Sequence, residues 1–322
     1  MLTVLACALI LDGLIGDPRW FYRFVPHPVV VMGKTVGLLD RSLNRADFNA
    51  GLRRLMGTAA LALIVIVFAG IGLWLSGLLR PTLMGWFWEA LLVSVLISQN
   101  SLYRHVADVA TALEEGGLNA GRDAVGKIVG RDPQSLDENG VARAAIESAA
   151  ENFSDGVAAP VLFAALFGLP GIMAYKAVNT ADSMIGHLTD RHRDFGWAAA
   201  RLDDLLNYIP ARLSAVLFAL ASPILSDVST REVAQVVLRD GPLHRSVNAG
   251  YPEAAMAAVL GLQLGGPRKY GAETVNDEWL GDGRTEATAD DIRQALRVYL
   301  TACFYVFWVV AMAALLVSMV RT

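Results

Sequence analysis

Residues 55–79 run from Leu55 to Leu79 without a single charged side chain. A bilayer core about 30 Å thick is crossed by roughly 20 apolar residues in helix, so this run commits the chain to a membrane. The composition agrees. Of 322 residues, 54% are apolar and 18% charged, where a soluble domain has about 25% charged. A formal net charge of -4 excludes a general nucleic-acid binder, which needs a basic face.

Further spans are predicted at 1–16, 83–103, 208–225 and 296–319. The first lacks the basic n-region and small-residue cleavage site of a signal peptide. Arg80-Pro81 ends the 55–79 run, and Trp86, Trp88 and Tyr103 flank the next as interfacial aromatics, so the two form a tight helical hairpin. Residues 156–175 are apolar but carry Pro160, Gly168, Pro170 and Gly171. That segment is broken or re-entrant, because irregular backbone at membrane depth must be buried in protein or line a cavity. Polar loops occupy 17–54, 104–155, 176–207 and 226–295. Seven Lys/Arg in 17–54 and five in 104–155 assign both loops to the cytoplasm. Cys7 and Cys303 lie in apolar segments and suit small buried hydrophobes rather than a disulfide or zinc site. The expected fold is an all-α polytopic helical membrane protein, one domain over 1–322, with amphipathic and re-entrant helices around a polar cavity.

The chemistry concentrates between Glu147 and Arg212. Glu147, Glu151, Asp155, Asp182, Asp190, Asp194, Asp203 and Asp204 lie there beside near-continuous apolar blocks, with Asn152, Asn179 and Asn207 among them. Such groups are costly near a membrane unless they line a polar cavity or the water interface. A helix over 137–155 stacks Glu147, Glu151 and Asp155 on one face, where they repel unless a cation or basic partner intervenes. A second face holds Asn179, Asp182 and Ser183, and a third holds Arg201, Asp204 and Asn207 with Asp203 beside it. Asn/Asp pairs one turn apart supply oxygen ligands suited to magnesium, and they serve equally well as helix caps and arginine partners. The first alternative has the three edges converge on one cytoplasm-facing cavity that holds magnesium and phosphate.

Elsewhere the signals are local. Asp17-Pro18 and Pro26-His27-Pro28 make a rigid turn that holds Asp17 and His27 near the mouth of the first helix, and 29–45 suits an interfacial amphipathic helix. His244, Ser246, Asn248 and Glu253 form a polar turn, and Leu264–Gly271 a Gly-rich one whose backbone is able to approach a ligand. The phrase Gly121 to Ile128 matches a P-loop up to its last position. Ile128 replaces the required Ser or Thr and no strand precedes it, so a helix–turn–helix connection is expected instead.

The phrases LDGLIGDP, PHPVVVMG, ESAAENFSDGVAAP, AVNTADSMIGH, DFGWAAARLDDLLNYIPARL, NAGYPEAAMA and LGGPRKYG, in this order along nearly the whole chain, resemble the adenosylcobinamide-phosphate synthase family (CobD/CbiB) of cobalamin biosynthesis. The resemblance implies an ATP-dependent amide ligation of adenosylcobyric acid to (R)-1-aminopropan-2-ol phosphate or a close analogue, giving adenosylcobinamide phosphate. It implies magnesium and ATP as co-substrate, with Glu147, Glu151, Asp182, Asp203 and Asp204 as catalytic acids. Asn152, Asp155, Asn179, Asp182, Asp204 and Asn207 become metal ligands. Lys176, Ser183, Arg201, Arg212, Asp17, His27, Ser246, Asn248 and Glu253 become substrate or phosphate contacts. It further implies a multi-pass inner-membrane protein with its site facing the cytoplasm, surrounded by lipid, and compatible with homo-oligomers and with other nucleotide-loop assembly enzymes. Two other classes compete. A magnesium-dependent intramembrane prenyltransferase also sets Asn/Asp-rich helices at a membrane mouth. A non-enzymatic membrane sensor or regulator would not need this density of acids and amides.

Overall fold

The chain is helical almost throughout in the computed structural model, which describes residues 1–322 except Arg19, Trp20, Arg131, Gly271, Ala272, Asn276 and Thr322. The order is α1 (Leu2–Ile15), α2 (Pro28–Leu43), α3 (Ala50–Leu79), α4 (Gly85–Ser94), α5 (Gln99–Val125), α6 (Glu138–Phe153), α7 (Ala159–Ile185), α8 (Trp197–Leu206), α9 (Tyr208–Leu225), α10 (Thr230–Asp240) and α11 (Gly250–Leu260). Four short strands follow, β1 (Leu264–Gly265), β2 (Arg268–Tyr270), β3 (Glu273–Val275) and β4 (Trp279–Leu280), before the long α12 (Ala289–Arg321). β1 pairs antiparallel with β4 and β2 with β3. The Gly-rich turn therefore lies within a small ribbon, and its last residue, Gly271, lies outside the described residues.

Among the described residues, four helical runs are long and apolar enough to cross a membrane: Ala50–Leu79, Glu138–Ile185, Tyr208–Leu225 and Ala289–Val320. The uncharged run lies in the first of them, which starts at Asn49, whose side chain accepts the Leu52 N–H at 2.9 Å, a standard N-cap bond.

The structure departs from the expected spans at two places. α1 has 14 residues, about 21 Å at a rise of 1.5 Å per residue, too short to cross a 30 Å core alone. The expected continuous helix over 83–103 ends at Ser94 and restarts at Gln99. The Ser94 hydroxyl donates to the Leu91 carbonyl at 2.9 Å, and Leu96 and Ile97 bond back three residues to Val93 and Ser94. These contacts tighten the last turn and end the helix. The hairpin between α3 and α4 does form, tied by the Ser76 hydroxyl donating to the buried Glu89 carboxylate at 2.6 Å.

The 156–175 segment turns back on itself. Gly168 has φ 70° and ψ -156° inside α7, a conformation open essentially to glycine alone. The rings of Phe163 and Tyr175 stack with centroids 5.1 Å apart, although twelve residues of straight helix would separate them by about 18 Å. α7 is thus a helical hairpin, and the run Glu138–Ile185 is not one rod. Gly117 makes a similar break in α5, with φ 68°. The P-loop-like phrase falls at the end of α5 and in the turn after it, with helix and no strand before it.

Where the sequence reads as one domain, the fold divides into two compact units. The first comprises Met1–Ser98, Ala159–Asn207 and Val309–Thr322, and the second Gln99–Ala158 and Tyr208–Trp308. In the first, α7 packs on α3 and α2, α8 packs on α7 and α3, and α1 packs on α4. In the second, α6 packs on α5 and α11, and α9 on α10 and α11. The buried Phe153 ring anchors the second core, 4.9 Å from Phe218 and 5.4 Å from Tyr299. Each such aromatic pair adds about 0.5–1.5 kcal/mol beyond area burial.

Candidate functional site

In the first unit, α7 and α8 bring four of the predicted residues together. Asp203 is buried at 8% exposure. Asn207 donates to its Oδ2 at 2.9 Å and Asn179 to its Oδ1 at 3.3 Å. Asn207 is held in turn by Tyr175, whose hydroxyl donates to Asn207 Oδ1 at 2.8 Å. Burial and the negative charge of Asp182 push Asp203 up to about 7, against the lowering effect of the two amide bonds. Asp204 is also raised, by burial, with Arg201 opposing the shift. A chain of one phenol, two amides and two facing carboxylates results.

This arrangement assigns different work to residues that spacing alone cannot separate. Asn207 has its oxygen on Tyr175 and its nitrogen on Asp203, so both ends of its amide are engaged in the scaffold. Ser183 turns its hydroxyl onto the Asn179 carbonyl of its own helix at 2.9 Å. Lys176 is buried in α7. Arg201 is mostly exposed and lies 3.9 Å from Asp204. Asp182 is held against Gly186, where an added Cβ would stand 1.9 Å from Asp182 Oδ1.

The donor set fits a divalent cation. The charge of Asp182 acts on the buried Asp203, and magnesium accepts one or two carboxylates with phosphate or water oxygens completing its shell. Among the described residues, no group of three or more His, Cys, Asp or Glu side chains is set to hold a metal. The protein would therefore supply a pair of acids rather than a closed cage.

The segment after Asp182 is clamped by residues that the sequence does not single out. Arg191 donates to Asp40 Oδ2 at 2.7 and 3.1 Å, and Asn44 donates to Asp40 Oδ1 at 2.8 Å and to the Arg191 carbonyl at 2.9 Å. Arg53 bonds the Asn44 oxygen at 2.9 Å and the Arg191 carbonyl. Arg54 pairs with Asp194 at 2.9 Å. Burial opposes ionisation of Asp40, but the bonds from Asn44 and Arg191 outweigh it and hold the carboxyl below its usual range. Asp190 and Asp194 thus stand in a tethered loop. Only the density of charge in 190–194 signals it in sequence.

At the N-terminal turn, His27 and Asp17 meet at 3.5 Å, and Tyr22 donates to Asp17 at 3.2 Å. Burial, then the Asp17 charge, raise the Tyr22 phenol. His27 also caps α2, its Nδ1 accepting the Val29 N–H at 3.2 Å.

In the second unit, the three acids expected on one face do not behave alike. Glu147 is buried and accepts the Gly265 N–H at 2.8 Å. Glu151 is exposed, and Asp155 lies in a π-helical turn, Ser154–Ala158, which shifts the register of the row. Asn152 spends its amide N–H on Ser148, at 2.9 and 3.1 Å. The Gly-rich turn does approach a functional group with its backbone, and that group is Glu147.

Arg212 is held on several sides. Its guanidinium lies 3.7 Å from the ring centroids of both Tyr208 and Tyr251. One nitrogen, Nη1, donates to Asn248 Oδ1 at 2.8 Å and to the Tyr208 carbonyl at 3.1 Å. Two aromatic faces fix the plane of the fork, so the remaining N–H groups are pre-aimed. Nearby in sequence, the Ser246 hydroxyl accepts the N–H groups of Asn248 and Ala249 at 3.3 and 3.2 Å. His244 accepts the Ser246 N–H at 3.0 Å and lies 3.8 Å from the buried Glu253. Ser246, Asn248 and Glu253 therefore share one hydrogen-bonded turn, and Tyr251, which the sequence motifs do not single out, stacks on the Arg212 guanidinium.

Fold and sites together define a polytopic α-helical membrane protein carrying buried acid–amide clusters and a pre-set arginine. A family model described as CobD/Cbib protein matches residues 5–299. The chain belongs to that family. It is 49% identical over 310 residues to the cobalamin biosynthesis protein CobD of a Sinorhizobium species, covering 94% of this chain and 95% of the relative. The protein of the same name from Brucella anthropi is 50% identical, with 92% of each chain covered, and that of Rhodobacter capsulatus 43% identical, with 98% of each covered. No solved structure matches the chain.

Proposed function

We propose that this protein works in cobalamin biosynthesis as an ATP-dependent amide ligase. It joins the free propionate carboxyl of adenosylcobyric acid to the amine of (R)-1-aminopropan-2-ol phosphate, or a close analogue, and the product is adenosylcobinamide phosphate. Family membership and the names of the relatives support the pathway. The observation that carries the chemistry is the buried Asp203, held by Asn207 and Asn179 and pushed up to about 7 by burial and the charge of Asp182.

A carboxylate does not condense with an amine, because hydroxide leaves poorly. In the proposed reaction the carboxylate takes the terminal phosphoryl group of ATP and releases ADP. The amine nitrogen then bonds to the acyl carbon, the C–O bond to phosphate breaks, and inorganic phosphate leaves. Asp182 and Asp203 would hold a magnesium ion, which when bound neutralises phosphoryl charge. In the second unit, the flat, stacked guanidinium of Arg212 is of the kind that offers paired N–H donors to phosphate oxygens. The nitrogen sheds a proton as the amide forms. The departing phosphate is basic enough to take up that proton.

The test is a reconstituted reaction. Purified protein in detergent is expected to convert adenosylcobyric acid only when aminopropanol phosphate, ATP and magnesium are all present. Product formed at the same rate without nucleotide would contradict the acyl-phosphate route.

A further inference from the structure

α8 has two working faces. Asp203 and Ala199 are buried on one. The other carries Trp197, Arg201, Leu202 and Leu205, spaced so that they share a side of the helix. That second face closes a groove of about 530 Å³ against α3, whose wall is formed by Leu61, Val65 and their neighbours from Thr58 to Ile66. The groove is open and almost wholly apolar. Its α3 wall covers about 12 Å of helix, at 1.5 Å per residue, and begins one turn beyond Arg53 and Arg54. A membrane helix carries such arginines at the headgroup level, so the groove runs from the interface into the hydrocarbon.

Arg201 is the one charged residue among the groove's lining side chains. Its side chain is 69% exposed and its acid partner Asp204 stays 3.9 Å away, a weak pairing that leaves the guanidinium able to meet an anion. An apolar trough that starts at the interface and carries a cation matches one chemistry: an acyl chain with an anionic phosphate head. We propose that this groove is a binding site for an anionic phospholipid, one acyl chain lying between α3 and α8 and the phosphate paired with Arg201. The site is independent of the ligase reading, but its occupant would press on the helix whose other face holds Asp203.

Native mass spectrometry of the full-length protein, released from equal mixtures of phosphatidylglycerol and phosphatidylcholine, tests this. Wild-type protein is expected to retain phosphatidylglycerol about fivefold over phosphatidylcholine, corresponding to ~1 kcal/mol for one interfacial arginine. Arg201→Gln should remove the preference, Arg201→Lys should keep most of it, and Ala62→Trp, which fills the groove, should reduce retention of both lipids. Equal retention of the two lipids by the unmodified protein overturns the proposal without any variant. So does an undiminished preference in folded Arg201→Gln, or undiminished retention in folded Ala62→Trp.

Discussion

Asn207 donates to Asp203 at 2.9 Å while its own oxygen accepts the Tyr175 hydroxyl at 2.8 Å. The three side chains are buried, so each bond satisfies a group that water cannot reach. Asn207→Leu removes one hydrogen bond from the phenol and one from the carboxylate, at an expected cost of about 1–3 kcal/mol. Tyr175→Phe removes one bond and should cost about 1 kcal/mol. Thermal unfolding in detergent measures both. The double variant should be less destabilised than the sum, because the two changes share a partner.

Asp203 also gives a pH signature. Its folded value of about 7 lies above the ordinary carboxylate range, so between roughly pH 4 and 7 the folded state holds a proton that the unfolded chain has lost. Stability is therefore fully present at low pH and falls as pH rises toward 7, by an amount on the order of a few kcal/mol. Asp203→Asn should flatten this slope. Magnesium should flatten it as well, by binding the ionised pair and releasing the proton. Unfolding followed from pH 5 to 8, with and without magnesium, checks both outcomes.

Gly186 sets the room available to Asp182. A Cβ there meets Asp182 Oδ1 at 1.9 Å, whereas one on Gly70 in α3 meets nothing within 4 Å. Gly186→Ala must displace the carboxylate or the turn, and is expected to lower product formation at least about tenfold, since a misplacement of 1 Å near reacting groups costs about that or more. Gly70→Ala should leave the rate unchanged. A circular-dichroism melt separates loss of activity from loss of fold.

The Asp40–Arg191 pair holds the loop between α7 and α8. Arg191→Gln leaves the buried Asp40 without its arginine, and segment 187–195 should then open more often. Hydrogen exchange there is expected to speed up about tenfold, the effect of ~1.4 kcal/mol of local stability. The Asp40 carboxyl is held below its usual range, so its contribution is present near neutral pH and is lost as pH falls through the folded value. Once the pH has fallen through that lowered value, the variant and the wild type should converge.

What the sequence makes legible is local. The charge-free 55–79 run gives α3, and the Asp137 cap with the following helix period gives α6. Pro and Gly in 156–175 mark the break at Gly168. The break at Val95–Ser98 is hidden, because Ser94 reads as an ordinary membrane-helix serine until its hydroxyl is seen on Leu91. Site residues are legible by type and not by role. Asn179, Asp182, Asp203 and Asn207 do meet, yet Asn207 proves a clamp. Glu147 and Gly265 lie 118 positions apart, and no helical period links them. Tyr251 is visible only once it stacks on Arg212.

The most direct test of the account is product formation by Asp182→Asn as magnesium is varied. Asparagine keeps the size and much of the hydrogen bonding but loses the charge that pairs with a cation. The account predicts a folded protein whose rate at ordinary magnesium falls by roughly a hundredfold or more, as for loss of a group that positions transition-state charge, with part of the rate restored at high magnesium. Near-wild-type turnover in Asp182→Asn and Asp203→Asn alike, with unchanged magnesium dependence, would contradict it.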